Sequence, residues 1–367
     1  MLAELPVTDT RVEGSIIVLN LYDVAEEIKL TALAPLIGGT PLSPTFKHPA
    51  PEYVRFERPP VIESMPPLTL STGERFESAL QYYDYGVVSL LLRFQFSGSW
   101  DDLQKRAGNW ISSTIFDDLC RQTVRQQLKR VGAALVKPYP EWLSEDYYII
   151  HLHSVAGVAT AATLLQEHGI AISQIVRGET LSLSEAERRE VLQGHMSYYP
   201  NDLIVAGWNA AFLFDTPSGA EPTIRLLEYA NSQLLQFRHY DELLTRELER
   251  VYDFMESRRG LLYGWRMRSA AAQLRTILLE VTELTELTTN ALKFVGDMFF
   301  ARVYKLCVVK IGVGDYQNLV QEKQRTLDEL YDFMIEQFHQ ARGFLLEFIV
   351  VVILVIELFF LFHGKST

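Results

Sequence analysis

The chain has 367 residues, 48% of them hydrophobic, and 34 Lys and Arg stand against 46 Asp and Glu, for a formal charge of −12. That length suits one large domain with an extension. The acidic balance argues against nucleic acid as a direct partner, because neutralising phosphates needs a basic face, and two cysteines, Cys120 and Cys307, exclude a disulfide framework or a thiolate zinc cluster.

The first residues, Met1 to Pro6 followed by Asp9 and Glu13, have neither the basic start and apolar run of a signal peptide nor the Arg-rich composition of a transit segment. A cytoplasmic N-terminal domain is therefore expected. Residues 1–75 are rich in proline, among them Pro35, Pro41, Pro44, Pro59, Pro60, Pro66 and Pro67. One strand is expected at 14–19 and a polar amphipathic turn at 23–30. The rest should be irregular or extended, since proline fixes φ and removes a ladder donor.

Residues 76–220 alternate in character and predict an α+β domain, a sheet with helices on at least one face. The β-branched and aromatic run at 82–96 reads as a strand. A helical pattern follows over 100–133, a second strand at 146–153, and a helix at 158–167 that Gly169 would cap. A short strand is expected at 170–177. Ser184 with Glu187 forms a capping box that opens a helix toward His195, and 202–214 reads as the last strand.

Over 221–343 the apolar residues repeat at steps of three and four, first Phe237, Tyr240, Leu244, Leu248, Val251 and Met255, then Leu274, Leu278, Val281, Leu284 and Leu287. Such stripes predict long, antiparallel or coiled helices; the second stripe can be buried within the chain by the helix at 237–255 or between chains, and the excess of apolar edge favours self-association, hence a homo-oligomer. Gly260 with Gly264, and Gly312 with Gly314, mark the breaks. A single helix over 266–310 would be about 65 Å long. A third helix is expected from 316 onward.

That third helix would run into 344–362, FLLEFIVVVILVIELFFLF, which lacks Lys, Arg, Gly and Pro. About 19 apolar residues match the roughly 30 Å of a bilayer core, so a single-pass C-terminal anchor in membrane lipid is predicted. Glu347 and Glu357 would be its intramembrane carboxylates. Glu347 is near enough to the start to snorkel, while Glu357 would either hydrogen-bond a partner helix or be protonated or snorkelled. Arg325 and Arg342 before the run, against Lys365 after it, favour the N-terminal side in the cytoplasm.

Chemistry is weakly signalled. His151 and His153 share one face of a strand, but no third ligand flanks them. Asp84 and Asp202 are candidate paired carboxylates whose separation nothing fixes. Gly312-x-Gly314 lacks the third glycine of a dinucleotide fingerprint and reads as an interhelical turn. The aromatics Tyr82, Tyr83, Tyr85, Phe94 and Phe96 beside Arg93 read as cross-strand and core pairs rather than a base-stacking platform. The sequence has no phosphate-binding loop and no nucleophile elbow. No catalytic residue, metal or cofactor is assigned.

Three stretches, 226–243 (LLEYANSQLLQFRHYDEL), 283–304 (ELTELTTNALKFVGDMFFARVY) and 345–358 (LLEFIVVVILVIEL), together with Tyr85-Gly86-Val87-Val88, resemble the domain-of-unknown-function 155 family, also called the required-for-meiotic-nuclear-division family. The resemblance covers about 80–362. It implies an α+β domain, a helical hairpin and a membrane anchor, with eukaryotic members at the mitochondrial inner membrane in support of translation. Ser89 interrupts the family's apolar strand and no transit segment is present, so a bacterial inner-membrane protein is the expectation here.

The function expected on these grounds is a membrane-anchored, non-enzymatic scaffold or assembly protein with an unidentified protein partner. The alternatives are a tethered enzyme or ligand-binding domain, for which a polar pocket converging on His151, His153 or Asp84 would speak, and a ribosome tether implied only by the family.

Overall fold

The computed structural model describes residues 11–38, 40–41, 54–56, 59–256, 263–290, 292–294 and 298–363. In chain order these form β1 (Arg11–Asp23), β2 (Ala25–Ile28), α1 (Leu30–Ile37), β3 (Thr40–Pro41), β4 (Val54–Phe56), β5 (Val61–Thr69), β6 (Arg75–Tyr82) and β7 (Val87–Ser99). Next come α2 (Trp100–Ile111), α3 (Asp117–Val131), β8 (Leu135–Pro138), β9 (Ser144–Val155), α4 (Ala161–Arg177), α5 (Glu185–Gln193), β10 (His195–Met196), β11 (Leu203–Ala206) and β12 (Ala210–Phe214). The helical part comprises α6 (Pro217–Glu256), α7 (Tyr263–Asn290), the short β13 (Leu292–Phe294), α8 (Met298–Ile311) and α9 (Val313–His363). The expected α+β class holds. The chain forms two compact units, Met1–His239 with Leu287–Tyr316, and Tyr240–Glu286 with Gln317–Thr367.

The first unit is built on a nine-stranded sheet in the order β10-β11-β12-β9-β1-β7-β6-β5-β3. Its pairings are antiparallel except β12 against β9, which is parallel. β1 lies between β7 and β9, and both its faces are covered, which is why Ile16, Ile17, Val18, Leu19 and Leu21 are consecutive and apolar rather than alternating. Even-numbered β1 residues enter the larger core with Leu90, Leu92, Tyr148, Ile150 and Phe212, beneath Leu103 of α2, Val124 of α3 and Leu164 of α4. The odd-numbered face, with Leu21, Tyr147 and Ile149, lies on the side of α6, which hydrogen-bonds down to it from Ser232 and Gln236.

The start of α6 follows from its sequence. Thr216 accepts from the Gly219 N–H through its hydroxyl at 3.1 Å, and Pro217 follows it in the first helical position, where no N–H is needed. In the second unit Leu244 and Val251 of α6, Leu274, Leu278 and Val281 of α7, and Val320, Leu327 and Met334 of α9 are all buried. Lys323 of α9 donates to Asp241 Oδ1 at 2.5 Å and to Thr245 Oγ1 at 2.6 Å.

Several expectations are corrected. The supposed strand at 82–96 is two strands, because Tyr83-Asp84-Tyr85-Gly86 makes a tight turn with Gly86 at φ +88°. The supposed strand at 170–177 is the second half of α4, which passes through Gly169 and ends at Gly178 with φ +69°. The run at 202–214 is likewise a hairpin, β11 to β12. The 266–310 helix is broken into α7 and α8 by β13. Within the proline-rich segment, where extended backbone is one of the expectations, β5 takes Pro66 and Pro67 at a register shift between Met65 and Leu68, where proline's missing donor is tolerated. The capping box at Ser184 forms as read, with its hydroxyl accepting from the Glu187 N–H at 3.2 Å.

The membrane anchor expected at 344–362 is also corrected, and with it the single-pass, tail-anchored placement in an inner membrane. Among the described residues no helix is long and apolar enough to cross a membrane. The side chains of 345 and 360–362 lie outside the described residues. Glu347 and Glu357 are both exposed on α9, and the intramembrane role expected of them presupposes the span.

Candidate ligand-binding cleft

A cleft of about 330 Å³ opens between the second to fourth turns of α6 and strands β5, β6 and β7. The strands contribute Glu77, Ser78 and Gln81 of β6 and Leu91 and Arg93 of β7; α6 contributes Glu221, Ile224, Arg225 and Glu228. The α6 residues recur at steps of three and four, which sets them on one helical face. On the sheet, Glu77 lies directly opposite Arg93 in the β6–β7 register.

The charges divide into a satisfied pair and an unsatisfied one. Arg93 Nη2 donates to Glu221 Oε1 at 2.6 Å. Arg225 makes no ion pair among the described residues. Glu228 is 2% exposed, and its Oε1 has no hydrogen-bond partner among the described residues. Burial pushes the Glu228 carboxyl up to about 7, against the Ser89 hydroxyl and the charge of Arg225, which favour its ionised form. A buried carboxylate without a full set of donors is costly, and that cost is what raises its pKa.

Behind the cleft the sheet face continues as a polar, aromatic layer. Gln81 Nε2 donates to the Tyr83 hydroxyl at 2.6 Å, and Tyr83 stacks on Tyr85 with ring centroids 5.2 Å apart. The Tyr85 hydroxyl meets Ser232 Oγ at 2.6 Å. Gln233 Nε2 donates to the Tyr229 hydroxyl at 3.1 Å, and the Tyr304 hydroxyl donates to Gln233 Oε1. Burial holds the Tyr83, Tyr85 and Tyr229 hydroxyls far above their ordinary range, so they stay protonated donors.

The residues singled out in the sequence lie elsewhere. His151 is 4% exposed, and its Nε2 meets the Asp215 carbonyl at 2.9 Å, tying β9 to the entry of α6; burial lowers its pKa. His153 is exposed, its ring 6.3 Å from that of His151. Asp84 is buried in the β6–β7 turn, and its carbonyl accepts from the Ile28 N–H at 2.8 Å. Asp202 accepts from the Tyr198 and Tyr199 N–H groups at 2.7 and 2.9 Å and so holds a turn. None of the four lines the cleft. Among the described residues no three His, Cys, Asp or Glu side chains gather as metal ligands. Cys120 and Cys307 are buried, and burial raises each thiol to about 12. Sequence reasoning missed Arg225 and Glu228. The signal present was a run of polar residues at apolar spacing, Glu228, Asn231, Ser232 and Gln236, in a helix whose neighbours Leu227, Leu234 and Leu235 are buried.

The fold and the cleft thus define a sheet domain sheathed by helices on both faces, with a charged cleft on the side of α6. Its family is that of the N-terminal domain of uncharacterized protein MJ0711: the family model matches residues 13–221, more than half of the chain, and the chain belongs to it. That is a correction, since the match does not fall in the domain-of-unknown-function 155 family that the sequence resembled. The chain is similar to uncharacterized protein MJ0711 of Methanocaldococcus jannaschii, 20% identical over 197 residues, which cover 53% of this chain and 60% of that protein. The match therefore spans less than two thirds of that relative. No solved structure matches the chain.

Proposed function

We propose that the first unit is a ligand-binding domain without catalytic chemistry, and that its site is the cleft of Arg93, Glu221, Arg225 and Glu228. The observation that carries this reading is the Glu228 carboxyl, buried at the cleft wall with one oxygen unpartnered. A cleft of about 330 Å³ is at the small end of ligand sites, which suits a small polar molecule. A purely structural carboxylate at such depth is normally paired on both oxygens. The test is a fragment screen by nuclear magnetic resonance on the full chain, with methyl labels on Ile224 and Leu91. Fragments that shift both methyls, and cease to shift the Ile224 methyl in Leu91→Trp, support the reading; a screen in which neither methyl responds overturns it.

A second reading, assembly through self-association, is favoured by one observation on α9. Phe344, Phe348, Val351, Leu354 and Leu358 are all more than half exposed, and so are residues on the intervening faces such as Val350 and Val355. Apolar surface on every side of one helix is more than a monomer ordinarily leaves open. Packed copies of this same segment would cover it. Sedimentation equilibrium of the full chain against a chain ending at Gly343 decides: a lower mass per particle only in the shortened chain supports assembly, and equal monomeric masses sink it.

A further inference from the structure

From the paired but unmet charges in the cleft we infer that its ligand is a small zwitterion, an amino-acid-like molecule whose anionic group is held by Arg225 and whose ammonium is held by Glu228. The inference rests on the reading of the cleft as a ligand site and goes further by naming the ligand's chemistry. Arg93 and Glu221 neutralise one another at 2.6 Å and are not free to select a charged ligand. Glu77, opposite Arg93 on the sheet, is exposed to water at the rim, which leaves one guanidinium and one buried carboxyl on the cleft, three residues apart on α6, a spacing that puts them side by side along the helix. Yet Glu228 Oε1 accepts from neither Arg225 nor any other described group. A molecule that carries both charges satisfies both residues and leaves the cleft's net charge unchanged. An anion alone would answer Arg225 and leave Glu228 unpaired; a cation alone would do the reverse.

The chemistry also predicts a proton count. An ammonium binds the ionised carboxyl, so a Glu228 that is protonated in part of the molecules near pH 7 must release that proton when the ligand enters. The other groups facing Glu228 are Arg93, Arg225, Glu221, Ser89 and Tyr83. Arginine stays charged, and the buried Tyr83 hydroxyl stays protonated, so neither titrates in this range.

The experiment is isothermal titration calorimetry of the full chain with glycine, β-alanine and γ-aminobutyrate as zwitterions of increasing charge separation, and with propylamine and propionate as single-ended controls. Each titration is run at pH 7 in two buffers of different ionisation enthalpy. At least one zwitterion is expected to bind at least tenfold more tightly than both controls, with release of a fraction of a proton. Arg225→Gln and Glu228→Gln are each expected to weaken it at least tenfold, and Glu228→Gln to abolish proton release. If propionate or propylamine binds as well as every zwitterion and shifts the Ile224 and Leu91 methyls, the zwitterion is wrong while the cleft stands. If none of the five binds although other fragments move those methyls, the inference fails alone. If no compound of any class moves them, the inference and the ligand-site reading fall together.

Discussion

His239 Nδ1 lies 2.8 Å from Asp23 Oδ2, so the last residue of β1, 1% exposed, is joined to α6 by a histidine that stacks on Tyr139 with ring centroids 4.8 Å apart. Gln236 Nε2 donates to the other Asp23 oxygen at 2.9 Å. Burial raises the Asp23 carboxyl above its ordinary range, and the contacts with His239 and Gln236 oppose that rise. The α6 contacts thus favour the ionised form of Asp23 against its burial.

Removing one member of such a pair leaves a buried charge uncompensated, at a cost of about 3–5 kcal/mol. His239→Leu is expected to lower the stability of the first unit by that order in urea titrations. Asp23→Asn in the same chain should recover part of the loss, because a neutral amide is cheaper to bury without its partner than a carboxylate is. A double variant as unstable as the sum of the single ones would show that the two residues do not act together.

The two sharp turns of the β5–β7 meander are predicted to respond differently to the same change. Gly86 sits at φ +88°, and a Cβ there would lie 1.7 Å from the Ala25 carbonyl oxygen. Gly73 sits at φ +98°, with nothing within 4 Å of its would-be Cβ. Gly73→Ala should cost about 1 kcal/mol, the strain of positive φ alone. Gly86→Ala adds a backbone collision and should cost more than about 3 kcal/mol or prevent folding. Thermal melts of the two variants side by side give the comparison.

Glu228 makes stability depend on pH with a definite sign. Its folded value is raised from 4.5 to about 7, so below pH 4.5 the folded and unfolded chains are both protonated and the carboxyl exacts nothing. As pH rises from 4.5 to about 7, the unfolded chain ionises first and the fold loses stability, in total on the order of 3 kcal/mol. Glu228→Gln removes that loss. The variant should match the natural chain near pH 4.5 and exceed it in unfolding free energy at pH 8. A natural chain with no decline attributable to residue 228 over that range would show the carboxyl to be better solvated than its burial indicates.

Much of this architecture was legible in the sequence, and the failures have a common cause. Apolar runs marked where strands lie, but 82–96 and 202–214 were each longer than one strand. Their breaks depended on Gly86 and on Gly207-Trp208-Asn209, in which neither proline nor an Asn-Gly pair announced a turn. Residues 170–177 are β-branched and apolar enough for a strand, yet they continue α4 because Ile172, Ile175 and Val176 bury one helical face against the sheet. Local propensity lost to packing there. The cleft was illegible for another reason: Arg93 and Glu221 are 128 residues apart, and only the meeting of β7 with α6 makes them a pair. His151 and Asp84, which did stand out, are used within the fold, one on a carbonyl and the other in a turn.

The last prediction concerns the apolar stripe of α7, which the sequence left free to be covered within the chain or between chains. In the second unit Val281 is fully buried and Leu278 is 7% exposed, whereas Leu279, on the opposite side of the same helix, is 62% exposed. The stripe is therefore covered by the chain itself at Val281. An aspartate there would bury a carboxylate where an apolar side chain now sits, and Val281→Asp should cost about 4 kcal/mol or more of the second unit's stability. Leu279→Asp meets water and should change it by no more than about 0.5 kcal/mol. Urea titrations followed by circular dichroism at the helical band distinguish the two. If Val281→Asp left the unfolding midpoint in place but lowered the particle mass in sedimentation, the stripe would be a contact between chains, and the packing assigned here to α7 would be wrong.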